Sequence, residues 1–400
     1  MNEIRRIVPT ILVLVLLLAI INTCNLTKAQ ELTYEITDTE IVVTGATFEI
    51  HISKGGGINA YYFMGYPVLG TLGEGVAINI WDRDWSAHPT TRAEVIKDPE
   101  VKMYDWGLMI KTYSRVENPN KNLFYKYTTV HKIYKSGAVV ISTVVEAYKD
   151  SDFAGGAILI TFPCQFYKSG KVFAYRQGDI SFKVEELPPE YNPEAEQEGF
   201  VISSGTLDSG YLVMPPEGKI NVIIVYVDPP EIKYLEVSDA RAWGSDYFYL
   251  CSWVAPDWTG LNLIPISAGD SHNFTWIVFP HNNGPSFSER FIKILNEGKR
   301  ANDYILKVEK IAKSAKAKED LKKAKEMLSK LLDAICSGDL DKAEGYATNA
   351  YKYARSAYST EATRAGIRYI VITIVICVAL YGIAAKKWKG GEPEEIEEGK

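Results

Sequence analysis

From Glu31 to about Pro285, apolar side chains recur at every second position, and almost nothing shows helical spacing. Thr47 to Ile52 alternates, and so does Leu108 to Tyr113. The clearest unit is a hairpin over Phe124 to Tyr148. Leu123, Tyr125, Tyr127, Thr129, His131 and Ile133 share one face of its first strand. Tyr134-Lys135-Ser136-Gly137 is the turn, and Val139, Ile141, Thr143 and Val145 continue the partner. Further strands are expected at 155–163, 171–175, 178–185, 199–205, 218–227, 245–251 and 274–280. Pro188 to Glu198 reads as an acidic, proline-bearing loop. Many strands over roughly 250 residues, with no helix to cover them, must bury their apolar faces against each other. The predicted class is mainly β: a large antiparallel sandwich, with tandem immunoglobulin-type sandwiches as the alternative.

Composition changes after Pro285. Ser286, with Glu289 three residues on, has the spacing of a capping box. Ile305, Val308 and Ala312 recur at helical spacing, as do Leu321, Ala324, Leu328, Leu331 and Ile335. Gly338 fits a C-terminal cap and Asp339 an N-cap, after which Leu340, Ala343, Ala347, Ala350 and Ala354 start another helix. Residues 286–366 are therefore expected to form a helical hairpin stalk. Its lysines, among them Lys310, Lys313 and Lys322, read as a solvated face, or as a contact for anionic lipid heads or an acidic surface layer.

Two apolar runs lie at the ends. Arg5-Arg6 precede the run Ile7 to Ile21, and Thr27-Lys28-Ala29 suits a signal peptidase, so 1–29 reads as a signal peptide cleaved after Ala29. A retained N-terminal anchor is the alternative, and a lipid anchor on Cys24 lacks a lipobox context. The second run, Tyr369 to Ala385, has no charge and is followed by Lys386-Lys387-Trp388-Lys389. Its 17 residues meet the lower limit for a membrane span of about 17–25 residues, and Gly366-Ile367 can extend it. The expected organisation is an extracellular domain (30–285), the stalk, a transmembrane helix (367–385) and a cytoplasmic acidic tail (386–400). That is a single-pass type I cell-surface protein.

The net charge of −6 argues against a nucleic-acid binder. No Cys/His cluster suggests a structural metal. Cys164 and Cys251 are the two cysteines of the β-rich part, and form either a disulfide or two buried thiols. Asn273-Phe274-Thr275 is an N-glycosylation sequon, making Asn273 a candidate acceptor.

The densest polar and aromatic cluster is Trp81-Asp82-Arg83-Asp84-Trp85-Ser86-Ala87-His88. Two indoles with carboxylates, an Arg and a His match the lining of a carbohydrate groove. Asp82 and Asp84, two apart on an expected strand, suit a shared face or a calcium ligand pair, and no other cofactor is implied. The bland reading is a structured strand end. Trp253, Asp257 and Trp258 form a second cluster, and Trp243-Gly244-Ser245-Asp246 a third, which also reads as a turn. His131, beside Tyr125 and Tyr127, is either an acid or base next to sugar-stacking rings or a half-buried strand histidine.

Ile36 to Val43 leading into Phe48 to Ala60, with Gly55-Gly56-Gly57-Ile58, and the closing strand introduced by Gly269-Asp270, resemble the galactose mutarotase-like β-supersandwich. The resemblance implies a carbohydrate-related role: sugar epimerase, lyase domain, or noncatalytic domain of a glycoside hydrolase. The epimerase motif of the Asn-His-x-Tyr-Phe-Asn-Leu kind has no match in this sequence, so no catalytic residue is carried over. The segment from Gly338 resembles half a tetratricopeptide-type repeat, and also hairpins placed before the anchor in some archaeal surface proteins. The reading is a β-domain that binds carbohydrate or another envelope component, such as a surface-layer protein. A membrane-tethered carbohydrate-active enzyme and a purely structural envelope protein are the alternatives.

Overall fold

The computed structural model describes residues 31–70, 75–176, 179–191, 201–205, 210–216, 218–228, 234–253 and 264–389. The expected signal peptide and residues 390–400 lie outside these. The chain divides into two compact units, the first ending at Ile292 and the second starting at Lys293.

The first unit is mainly β. Among the described residues its larger sheet has eleven strands. The main path runs β1 (Thr33–Ile36), β2 (Glu40–Thr44), β3 (Phe48–Ser53), β4 (Ile58–Phe63), β6 (Val76–Trp81), β13 (Gly155–Pro163), β20 (Tyr247–Trp253), β19 (Tyr234–Asp239) and β16 (Val201–Gly205). Short strands β5 (Tyr66–Leu69) and β7 (Ala87–Pro89) pair with β4 and β6. The second sheet has nine strands among the described residues. Its order is β15 (Asp179–Glu186), β14 (Lys171–Arg176), β17 (Gly210–Met214), β18 (Asn221–Asp228), β22 (Ser271–His281), β11 (Val139–Ala147), β10 (Leu123–Tyr134), β9 (Gly107–Asn118) and β8 (Glu94–Tyr104). A small pair joins β12 (Ser151–Phe153) to β21 (Ile264–Ile266). Every pairing is antiparallel, as the alternating pattern requires.

The core collects the inward positions of the strands. Ile41, Ile50, Ile52 and Ile58 join Ile78, Ile158, Ile160 and Leu250 from the first sheet. Leu108, Ile110, Tyr127, Ile133, Ile141, Trp276 and Val278 come from the second. The predicted hairpin holds in detail: Tyr127 pairs with Val145, Thr129 with Thr143, His131 with Ile141 and Ile133 with Val139. Its turn closes through the Tyr134 N–H donating to the Ala138 carbonyl at 2.9 Å, with Gly137 at φ +92°. The Gly-rich stretch also has a clear role. Gly56, at φ +105°, lies against Thr112 and Thr129, where a Cβ would sit 2.7 Å from Thr112 Oγ1. Ser114 Oγ donates to the Gly55 carbonyl at 2.6 Å.

Helix α1 (Cys164–Tyr167) is a single turn. The long helices are α2 (Pro285–Glu309), α3 (Ala315–Cys336) and α4 (Leu340–Lys389). The expected hairpin is α3 and α4, joined at Ser337-Gly338-Asp339 with Gly338 at φ +81°. The break between α2 and α3 was not expected. Ser314 caps α3 by accepting the Ala317 N–H at 3.2 Å. Ser286 is not a cap, because α2 already starts at Pro285, a residue suited to a first helical turn. Within the second unit Ala324, Ala354, Ala317 and Ala357 let the helices approach closely around Ile305 and Val308.

The expected transmembrane helix is not found: among the described residues no helix is long and apolar enough to cross a membrane. Helix α4 buries Ala343, Ala347, Ala350 and Ala354 in its first part. The placement as a single-pass type I surface protein, with an extracellular bulk and a cytoplasmic C-terminus, is overturned because no such crossing helix is found among the described residues.

Candidate functional site

The predicted cluster at 81–88 is a turn between β6 and β7, and Asp82 is its anchor. Asp82 is buried, and Oδ1 accepts the backbone N–H groups of Asp84 (2.9 Å) and Ser86 (3.1 Å). Oδ2 lies 3.0 Å from His88 Nε2. Burial alone would raise the Asp82 carboxyl, but hydrogen bonds from His88 and Ser86 outweigh it and hold the group below its ordinary range. Asp84 points elsewhere, pairing with Lys121, and Arg83 Nη2 donates to the Asn120 carbonyl at 2.6 Å. The expected shared face of Asp82 and Asp84 is therefore absent, because the chain turns between them. Nor do they make a calcium pair, since Asp84 is turned away to pair with Lys121. Among the described residues no group of three His, Cys, Asp or Glu side chains is placed to hold a metal.

This turn projects Trp85. The residue sits at φ +59°, a conformation that costs a non-glycine residue of order 1 kcal/mol. It is 43% exposed. Its ring lies over Gly155 of β13: a Cβ there would be 3.4 Å from Trp85 and 3.0 Å from Trp253. Trp81 is the register partner of Gly155, and its ring centroid is 4.7 Å from that of Trp253. Three indoles thus converge on one glycine that has no side chain to hold them apart.

Strand alternation extends this feature across the sheet. Ile158 and Ile160 enter the inter-sheet core, whereas Ala157 and Leu159 turn to the opposite face. There they form a separate cluster with Cys251, Trp253, Trp81 and Tyr249. Exposed Trp243 stacks on Tyr249 at 5.6 Å between centroids, so aromatic rings run from Trp85 across to Trp243.

An acid lies beneath this band. Glu236 of β19 is 4% exposed, opposite Cys251. Trp253 Nε1 donates to Oε2 at 3.3 Å, and Tyr249 donates its hydroxyl to Oε1 at 3.3 Å. Ser238 donates a further short hydrogen bond. Burial, reinforced by Glu236, pushes the Tyr249 hydroxyl far above its ordinary value, so it stays a donor. No cation pairs with Glu236 among the described residues. One row away, Asn79 is buried opposite Ala157, and its side-chain oxygen makes no hydrogen bond. A buried carboxylate and an amide oxygen beneath converging indoles can accept hydrogen bonds from a polyol whose flat apolar face rests on the rings.

The other predicted residues disperse. His131 is fully buried between the sheets, where burial pushes its pKa down to about 4 and the Gly56 backbone offsets this only in part. It is neither beside a surface groove nor half-buried. Cys164 and Cys251 are free and buried. Cys251 pairs with Leu159, and Cys164 begins α1 beyond the end of the same β13, so their separation of about five strand residues is near 16 Å. A disulfide needs Cα atoms within about 7 Å, so the two do not pair. Asn273 is exposed on β22. Asp257 and Trp258 lie outside the described residues. Glu236, Tyr249, Asn79 and Gly155 were not picked out in the sequence.

No protein-family model matches the chain, and no curated protein matches it. Solved structures do. A galactose mutarotase related enzyme from Lactobacillus acidophilus is 10% identical, with a TM-score of 0.38, over 64% of this chain and 98% of that one. Galactose 1-epimerase from Lactobacillus acidophilus NCFM is 10% identical, with a TM-score of 0.42, over 63% and 99%. An aldose epimerase homologue from C. elegans is 8% identical, with a TM-score of 0.38, over 64% and 99%. The chain is similar to mutarotase-like folds at this low level, and nothing in the likeness extends to archaeal or membrane-anchored proteins.

Proposed function

We propose that the β-domain binds a carbohydrate on the outer face of its first sheet, between Trp81, Trp85 and Trp253. The observation that carries this reading is the convergence of three indoles on Gly155 above buried Glu236. The rings supply stacking surface, while Glu236 and Asn79 supply acceptors for hydroxyl groups. The ligand is a glycan, free or carried by an envelope protein. Asn273, exposed on the second sheet, is proposed as a glycan attachment site, which a mass shift lost in Asn273→Gln would test.

A second reading is a carbohydrate-active enzyme with Glu236 as acid or base, favoured by the burial of that single carboxyl next to ring surfaces. Glycan-array binding by the full chain, followed by calorimetry on the best hit, separates the readings. Trp85→Ala, at an exposed position, should weaken binding by up to about tenfold, in line with roughly 0.5–1.5 kcal/mol for one aromatic contact. Glu236→Gln should abolish any turnover while leaving stacking. Absence of binding to every glycan would sink both readings and leave a structural role.

A further inference from the structure

The second unit carries a cleft of its own where α2 gives way to α3. It encloses about 490 Å³ and gathers Lys310 and Lys313 from the connection with Arg364 and Arg368 from α4. Four cations thus face one space. The acid among them is Glu361, and its charge is already committed. Its Oε1 accepts the backbone N–H groups of Lys313 (3.1 Å) and Ser314 (2.7 Å) at the start of α3. The hydrogen bonds from Ser314 come first among the causes that lower its pKa to about 2. The helix terminus is therefore neutralised from within the fold and needs no external anion.

The cations are not neutralised in the same way. Arg364 Nη1 lies 3.9 Å from Glu361, is shielded from solvent and makes no hydrogen bond. Lys310, Lys313 and Arg368 have no ion pair among the described residues. One wall of the cleft is apolar, formed by Ile311, Tyr358 and Ile372. Two guanidinium forks and two ammonium groups against one committed carboxylate leave an excess of about three positive charges. A single carboxylate ligand would balance one of them, whereas a phosphate monoester carries close to two charges and offers oxygens that match the Arg fork.

We propose that this cleft binds a phosphate monoester whose remaining part is apolar, with the phosphate on Arg364 and Arg368 and the apolar part along Ile311 and Tyr358. The phosphate chemistry is shared by a lipid headgroup and by a small organic phosphate. Calorimetric titration of the full chain with dihexanoyl phosphatidate and with phenyl phosphate tests both sources. Tighter binding of the phosphatidate points to the lipid source and tighter phenyl phosphate to the small one, and either supports the site.

The double variant Arg364→Gln/Arg368→Gln should lose at least about tenfold in affinity, because it removes both charged guanidinium forks from the cleft. Arg364→Lys/Arg368→Lys keeps the charge but loses the fork, and should fall between the two. Both positions are at the surface, and an unchanged helical circular dichroism signal shows that the variants fold. Trp85→Ala should bind the phosphates as the parent does, which separates this site from the glycan face. Failure of both phosphates to bind, equal binding by hexanoate, or an affinity unchanged in the double glutamine variant would overturn the proposal.

Discussion

His131 offers a direct measurement of what the sandwich core does to an ionisable group. An imidazole in the unfolded chain titrates near 6.5, and in the fold burial pushes it down to about 4. The folded state therefore binds fewer protons than the unfolded state between these values. Stability is full above pH 6.5 and falls as the pH drops towards 4. At about 1.4 kcal/mol per unit of displacement, this one residue should remove about 3 kcal/mol by pH 4. Desolvation dominates the surroundings of the ring and the Gly56 backbone compensates it only in part, so His131→Leu should cost little at pH 7.5.

The assay is urea denaturation followed by tryptophan fluorescence, at half-unit steps from pH 7.5 to 4, on the parent and His131→Leu. Other groups, including buried His281 with its pKa also lowered to about 4, titrate in both proteins and cancel in the comparison. The parent should lose about 3 kcal/mol more than the variant across this range. Parallel curves would refute the reasoning, since they would mean that His131 reaches solvent or a counter-charge in the fold.

Asp82→Asn keeps the turn's shape but weakens the acceptor facing His88 and the Ser86 N–H, and should destabilise by about 1–3 kcal/mol in thermal or urea unfolding. Because its pKa is lowered in the fold, the contribution of Asp82 is present above pH 4 and lost below it, so the variant should approach the parent in acid. Glu361→Gln should loosen the α2–α3 junction, seen as faster amide exchange at Lys313 and Ser314. With its pKa held near 2, the parent should keep this protection down to about pH 3, and loss of protection at pH 5 would contradict the assignment.

The sheets were legible because period-two alternation is a local signal. The hairpin from Leu123 to Ala147 was readable down to its turn, since Gly137 and the inward row Tyr127-Thr129-His131 lie within one stretch of chain. The candidate site was only partly legible. Trp81 and Trp85 stand out by local density, yet their meaning depends on Trp253, 172 positions after Trp81 (253 − 81), and on Gly155 between them. Glu236 gives no local sign: one acid in Tyr-Leu-Glu-Val-Ser looks like a solvent-facing strand position, and only strand pairing buries it beneath Trp253. Asp82 misled for the opposite reason. Its neighbours looked like ligands, but the same short-range density served a turn. The break at Ser314 was obscured by the lysine-rich sequence, which suits a helix on either side.

The contact between Trp81 and Trp253 also bears on time. It closes a very long loop, and β13, which arises between the two in the chain, must already be seated between β6 and β20. Contacts so distant in sequence pay their ordering entropy early and return it late, which makes assembly of such a sheet slow. The three-indole face should accordingly be among the last parts of the domain to appear as it folds. A newly made chain would lack the proposed glycan face until the first sheet is complete. If the proposed glycan binds that face, its presence would draw the finished state forward by mass action.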